Sequence, residues 1–312
     1  MAGGKIMSGG GPLRHVPLRQ VRWALEALLF ILLTLPLAVL PYILSLKAGR
    51  ALGLLLHRLW GNRRRIARQN VADSINAGAL DPGLSPNRIV RECFANLGAN
   101  VAEAAKILYG LDRRVIESYE IRGAEHYHAA RAAGRGILVI TGHCGNWELA
   151  SLAPAIGYAP MAAVARAQNN PYLHRLVERI RVKHGNSVIY KKGALRDTLR
   201  TLRNNGMVAV LIDQASSKDE GCLVNFMGRR AWTTKLPALL ARRTGAAALP
   251  IFHCREGANN IAIIYPEIKL SDNTDIEQAI HEDTRKFTAG VETHIRQYPE
   301  QWLWLHKRWK RA

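Results

Sequence analysis

His143 and Glu148 stand five residues apart in the stretch His143-Cys144-Gly145-Asn146-Trp147-Glu148. An imidazole near a carboxylate can take a proton from an alcohol. Histidine titrates close to neutral pH, and the carboxylate can hold the ring in one tautomer and stabilise the imidazolium as it forms. With 11 His and 24 Asp+Glu in 312 residues, chance alone supplies about one such pair, so spacing by itself carries little. The context carries more. The apolar run Gly136-Ile137-Leu138-Val139-Ile140-Thr141 reads as a buried strand, and Leu149-Ala150-Ser151-Leu152-Ala153 reads as the start of a helix. Between them Gly145 permits unusual backbone angles and Asn146 suits a helix N-cap. Five residues turn an α-helix by about 500°, so the two side chains would not share a helical face. The predicted arrangement puts His143 in the turn, with Glu148 on the first helical turn folding back towards it.

The elements that must position this turn alternate. Strands are expected at 136–141, 160–165, 186–190, 207–212, 247–253 and 260–265. Helices are expected at 146–157, 171–184, 193–204, 234–244 and 275–297, with a further helical pattern from Ile89 to Leu108. Short apolar runs separated by amphipathic helices predict one α/β domain with a mostly parallel central sheet flanked by helices. Only Cys254 to Asn259 separates the last two strands, so those should form an antiparallel hairpin. Asp213-Gln214 closes the run Met207-Val208-Ala209-Val210-Leu211-Ile212, and ligand-facing residues in open α/β sheets gather at strand carboxyl ends. An Asp that caps a loop is the alternative reading. Arg166 closes Met161-Ala162-Ala163-Val164-Ala165 at the same edge. There a guanidinium could pair with phosphate or with a neighbouring acid.

The net charge is +20, from 44 Lys+Arg against 24 Asp+Glu. Such a chain seeks polyanions: nucleic acid, an anionic bilayer, an acidic carrier protein or a phosphorylated substrate. It carries neither zinc-finger spacing nor an aromatic-basic RNA motif, which argues against nucleic acid. Cys93, Cys144, Cys222 and Cys254 lie far apart, giving no metal cluster or disulfide framework. Cys144 beside the expected base reads as a small filler. Residues 1–20 are Gly-rich and basic and read as loose. Trp23 to Leu46 is strongly apolar with one acid, Glu26, and is long enough to span a bilayer as an anchor within 21–46. Pro36 and Pro41 interrupt it, so a kinked or re-entrant helix fits. Basic residues flank both ends: Arg14, Arg19 and Arg22 before, and Lys47, Arg50 and Arg63-Arg64-Arg65 after. The positive-inside rule therefore gives no orientation, whereas an anchor lying in one leaflet explains both flanks. Residues 47–312 would then form the α/β domain.

His-Cys-Gly-Asn-Trp-Glu resembles the His-x4-Asp/Glu signature of membrane acyltransferases, and more narrowly the His-x-Gly-Asn-Trp-Glu form of the bacterial lipid A biosynthesis acyltransferases. Further blocks resemble that family in its order. They are Arg64-Arg65-Ile66-Ala67-Arg68-Gln69-Asn70, then Phe94-Ala95-Asn96-Leu97-Gly98 with Glu103, then Arg166 with Asn169-Asn170-Pro171. Asp213-Gln214 with Val224-Asn225-Phe226-Met227-Gly228 follows, and the set closes on Pro299-Glu300-Gln301-Trp302-Leu303-Trp304-Leu305-His306-Lys307-Arg308-Trp309-Lys310. Met227 stands where Phe is usual. The resemblance implies an O-acyltransferase on the cytoplasmic face of the bacterial inner membrane. It implies acyl carrier protein, or else acyl-CoA, as donor and a phosphorylated lipid A precursor as acceptor.

His143 would deprotonate the acceptor hydroxyl, and Glu148 would orient the imidazole. Backbone N–H groups at the start of the 146–157 helix would receive the oxyanion. No metal, nucleotide or other cofactor is required. Arg166, Asp213, Gln214, Arg229 and Asn146 are the substrate-binding candidates. Arg229 and Arg230 precede Thr233-Thr234, which could cap a helix beginning near Lys235 and make an anion site; a solvated basic loop is the alternative. Glu103, a lone acid in Val101-Ala102-Glu103-Ala104-Ala105, predicts a structural salt bridge. Trp302 and Trp304 read as core. Two rival functions remain open at this level: acyl transfer to a glycerophospholipid or a mannosylated lipid, and non-catalytic binding of anionic membrane or nucleic acid.

Overall fold

The computed structural model describes residues 18–150, 157–190 and 194–310. Seven strands form one sheet, in the order β1-β9-β8-β2-β5-β3-β4. They are β1 (Tyr119–Arg122), β2 (Ile137–Thr141), β3 (Met161–Ala165), β4 (Ser187–Tyr190), β5 (Met207–Leu211), β8 (Ala247–Glu256) and β9 (Asn259–Ile264). β6 (Gly221–Phe226) and β7 (Arg229–Thr234) make a separate antiparallel hairpin. Within the large sheet every pairing is parallel except β8 with β9, which is the expected antiparallel hairpin. All six expected strands are present. The short strand β1 and the β6–β7 hairpin were not predicted, because neither carries a continuous apolar run.

Burial on both faces explains the apolar runs. Every residue of β2 is buried, as are the first nine of β8, as expected for strands covered by helices on each side. The centre of the sheet is also where the topology reverses. From β2 the chain moves outward to β3 and β4, returns to lay β5 between β2 and β3, and then places β8 on the other flank of β2. The carboxyl ends of β2 and β5 meet at that reversal, the place where open α/β sheets form ligand crevices.

The apolar N-terminal run is two helices rather than one. α1 (Leu18–Val39) and α2 (Tyr42–Leu59) break at Leu40-Pro41, where proline cannot supply the N–H that a continuing helix needs. The Lys106 ammonium donates to the carbonyls of Ala38 at 2.8 Å and Leu40 at 2.6 Å, satisfying groups that the break leaves open. α2 therefore runs across the domain boundary expected at residue 46. It lies against α4 (Pro86–Leu108) through glycines: a Cβ on Gly53 would sit 2.0 Å from the Phe94 carbonyl oxygen, and one on Gly98 2.0 Å from that of Gly49. Only glycine lets the two backbones approach so closely. α3 (Gly61–Asn76) follows, and its Asn70 donates to the carbonyls of Trp304 and His306, both at 2.9 Å, which pins the C-terminal segment.

α1 is long and apolar enough to cross a membrane, and Leu25, Leu28, Leu29, Leu32 and Leu33 on it are 49–61% exposed. It is also fastened to the domain along its length. Asn170 donates to the Trp23 carbonyl and to Glu26, Thr34 shares a 3.1 Å hydrogen bond with Tyr109, and Lys106 holds its end.

Candidate active site

The pairing of β2 with β5 sets the site. Thr141 lies opposite Leu211 in that parallel register, so the residues two beyond each strand, His143 and Asp213, fall abreast. The Asp213 carboxylate accepts from His143 Nδ1 at 2.8 Å, from the His143 backbone N–H at 2.7 Å and from the Trp302 indole N–H at 2.7 Å. Asp213 is 2% exposed. Burial alone would raise its pKa, but the facing imidazole and these three donors outweigh burial and hold it at about 2. An ionised carboxylate can only accept, so in the neutral ring Nδ1 carries the proton and Nε2 presents the lone pair. Gln214 places its side-chain nitrogen 3.1 Å from that Nε2. The Trp147 indole packs edge-on against the imidazole, with ring centroids 5.1 Å apart.

Glu148 is therefore not the partner of His143, contrary to the expectation from spacing. Arg181 takes its two oxygens in a fork, Nε to Oε2 at 2.8 Å and Nη2 to Oε1 at 2.6 Å, and both nitrogens of the His143 ring are engaged elsewhere. The acid five residues away turns towards the helix Pro171–Arg181. The acid seventy residues away is delivered by strand pairing. A bidentate guanidinium contact suits the planar carboxylate of Glu148.

Beneath the turn lies a polar cluster presented largely by α4. Asn96, Asn100 and Glu103 fall at i, i+4 and i+7, one face of the helix. Asn96 donates to the Glu300 carbonyl and Asn100 to that of Gly145. Glu103 is fully buried and pairs with Arg255, the structural salt bridge its sequence context predicts; it also accepts from Tyr42, Asn146 and Asn260. Burial works against its ionisation, yet Arg255 and these donors keep its pKa below the usual value. Asn146, expected among the substrate-binding residues, is buried at 2% exposure, and its side chain bonds Glu103 beneath the turn.

Gly145 has φ +52°, and a Cβ there would meet His253 Nδ1 at 2.3 Å, so the turn requires glycine. His253 accepts from the Asn146 N–H at 2.8 Å; burial lowers its pKa to about 4, keeping it the neutral acceptor this contact needs. The N–H groups of His143, Cys144, Gly145 and Asn146 are all committed to internal acceptors, so of the oxyanion donors expected at the start of this helix the Asn146 N–H is already used. The helix expected at 146–157 is described only for Trp147–Ala150, because 151–156 lie outside the described residues.

The C-terminal block closes the site from behind. Trp302 forms an isolated bridge with Cys144, Leu303 donates to the His143 carbonyl, and Gln301 accepts from the Gly145 N–H. Trp302 and Trp304 are core residues, as expected, and Trp302 also supplies a donor to Asp213. Arg308 is 1% exposed and donates to the carbonyls of Gln214 at 2.9 Å and Trp232 at 2.5 Å; burial brings its pKa down to about 10.

Among the other candidates, Arg166 sits exposed just beyond β3 and makes no ion pair with any described residue. Arg229 is spoken for: it bonds Asp73 at 2.6 Å and lies 4.3 Å over the Trp309 ring, which makes it a tie between the β6–β7 hairpin and α3 rather than an open anion site. Thr234 accepts from the Leu236 N–H near the start of the helix Leu236–Thr244, while Thr233 belongs to β7 and bonds Arg308. Trp302, Arg181, Arg308 and His253 escaped the sequence reading as site residues. The three polar residues on one face of the largely apolar α4 were the one local signal that something polar lay across from it.

The match with known proteins extends over nearly the whole chain. The family model for bacterial lipid A biosynthesis acyltransferase covers residues 13–311. The chain is 27% identical to the lipid A biosynthesis lauroyltransferase of Escherichia coli, over 87% of each chain. It is 24% identical to the lipid A biosynthesis palmitoleoyltransferase of the same organism, over 87% of this chain and 86% of the relative. It is also 27% identical to the phosphatidylinositol mannoside acyltransferase of Mycolicibacterium smegmatis, over 78% of each. Relatives acting on two different lipid acceptors share the sequence over most of its length, and the protein is an acyltransferase for lipid acceptors. The chain belongs to the bacterial lipid A biosynthesis acyltransferase family.

Proposed function

We propose that the protein transfers a fatty acyl chain from an acyl thioester, borne by acyl carrier protein, to a hydroxyl of a phosphorylated lipid A precursor at the cytoplasmic face of the inner membrane. The observation that carries this reading is the His143–Asp213 pair at the topological reversal of the sheet, with its Nδ1 proton directed to Asp213. The Nε2 lone pair accepts the proton of the acceptor hydroxyl as that oxygen attacks the thioester carbonyl. Collapse of the tetrahedral intermediate breaks the C–S bond, and the imidazolium returns its proton to the departing thiolate. Asp213 fixes the tautomer and offsets the imidazolium charge. The experiment that tests the whole assignment is mass spectrometry of lipid A from cells with and without the gene, paired with an in vitro transfer assay comparing acyl carrier protein and acyl-CoA as donors. Loss of one acyl chain in the deletion supports it, and an unchanged lipid A profile overturns the acceptor. The relative that acylates phosphatidylinositol mannoside favours a second acceptor class, a mannosylated lipid, which the same assay would register as transfer to that lipid instead.

The guanidinium of Arg166, exposed beyond β3 next to β5 and without an ion pair among the described residues, supports a phosphate-binding role. Arg166→Lys keeps the charge and loses the fork, so KM for the acceptor should rise several-fold while KM for the donor stays within twofold. Arg166→Ala should raise the acceptor KM further, with little change in melting temperature. Unchanged acceptor kinetics in both variants would return Arg166 to plain surface charge.

The fastening of α1 along the domain supports an anchor that lies in one leaflet. A helix tied to the domain at Trp23, Thr34 and Ala38 cannot leave it to cross a bilayer without breaking those contacts. Its exposed leucines would enter the acyl region, and neighbouring basic residues would meet anionic headgroups. Replacing Leu25, Leu28 and Leu32 together with Asn removes apolar surface that contributes roughly 1.5–3 kcal/mol per fully buried leucine. The variant should wash from membranes in high salt while the intact protein stays bound. Equal retention of both would show that this face does not hold the protein to the bilayer.

A further inference from the structure

One contact of the His143 ring has no part in proton abstraction. Its proton-accepting nitrogen is already occupied. The Nδ1–H donates a hydrogen bond to the Asp213 carboxylate, so in the neutral ring Nε2 can only accept, and the group 3.1 Å away is the amide nitrogen of Gln214. An acceptor hydroxyl must use that same lone pair. The tautomer needs no help from Gln214, because Asp213 sets it. We propose that Gln214 is a latch on the base: its amide fills the Nε2 lone pair of His143 until an acceptor hydroxyl displaces it, so that water is not activated against a bound thioester.

The construction of Gln214 suits a pivot. Its backbone carbonyl is held by the buried Arg308 at 2.9 Å, and its neighbour Asp213 is fixed by three donors. The residue is nonetheless exposed, so its side chain can rotate away while the backbone stays in place. The reaction it would restrain is hydrolysis. Water oxygen bonds the thioester carbonyl carbon as one water proton passes to Nε2. The C–S bond then breaks, and the thiolate takes the proton back, leaving free fatty acid and free thiol. A lipid acceptor brings binding energy from its chains and phosphates to displace the amide, and water brings none.

The inference rests on His143 being the base, and the test separates the two. Full-length wild type, Gln214→Met, Gln214→Glu and His143→Ala are assayed for thiol release from lauroyl-CoA without acceptor, and for acyl transfer with the lipid A precursor present. Gln214→Met keeps the length of the side chain and removes the donor. Its acceptor-free hydrolysis should rise roughly three- to tenfold, the scale of one lost hydrogen bond, and the ratio of hydrolysis to transfer should rise with it. A purely structural role would lower both rates together. Gln214→Glu can only accept from a protonated ring, so both reactions should fall. Adding His143→Ala to Gln214→Met should abolish the gain. Where Gln214→Met lowers the melting temperature, Gln214→Asn gives the second reading: its amide is one methylene short of Nε2, and the same rise is expected. Hydrolysis at the wild-type level in both variants, with transfer by wild type intact and lost in His143→Ala, overturns the latch and leaves the base assignment standing. Transfer unaffected by His143→Ala overturns both.

Discussion

His143→Ala is expected to lower acyl-transfer turnover by about 10²–10⁴, the range general-base catalysis contributes. The expectation follows from geometry. The imidazole is the one described titratable group that is both anchored by a buried carboxylate and placed at the carboxyl ends of β2 and β5. Removing it leaves the acceptor hydroxyl to lose its proton to water. The fold should survive, because the His143 backbone N–H still donates to Asp213 and its carbonyl still accepts from Leu303. The measurement is turnover under saturating donor and acceptor, alongside a melting curve. Turnover within threefold of wild type would sink the assignment of His143 as base.

Asp213→Asn should cost as much, up to about 10⁴ in turnover, the scale of the corresponding change in a serine-protease triad. An amide can donate to Nδ1, which moves the ring proton to Nε2 and removes the lone pair the hydroxyl needs. Glu148→Gln serves as the contrast. It weakens the pair with Arg181 and leaves both ring contacts of His143 in place, so turnover should stay within about tenfold of wild type. If Glu148→Gln were the more damaging of the two, the acid five residues from His143 would be the working partner and the role given to Asp213 would be wrong.

The pH dependence gives an independent check on Asp213. Its folded pKa, about 2, lies below the unfolded value near 3.9, so it contributes stability above pH ~4 that is lost as pH falls towards 2. The difference in melting temperature between wild type and Asp213→Asn should therefore shrink over that window. A difference that stays constant between pH 4 and pH 2 would mean that Asp213 is not held ionised by its donors.

The sequence by itself determined the elements and the motif. The apolar runs of β2, β5 and β8 are continuous because both faces of those strands are buried, and such runs are visible locally. The turn at Gly145, the reactive type of His143 and the position of Asp213 at a strand end were legible for the same reason: each depends on neighbours in the chain. The family resemblance carried the rest of the function.

Only the tertiary structure decided which acid lies against the histidine. Sequence distance favours Glu148, but the parallel pairing of Thr141 with Leu211 places a residue seventy positions away within 2.8 Å of the ring, and register is not a local property. The same limit hid Trp302 as a donor to Asp213, His253 as acceptor beneath the turn, and Arg181 as the partner of Glu148. The interruption at Pro41 was legible from the proline itself, but not that Lys106, a residue on a different helix, would hold the carbonyls the break leaves open.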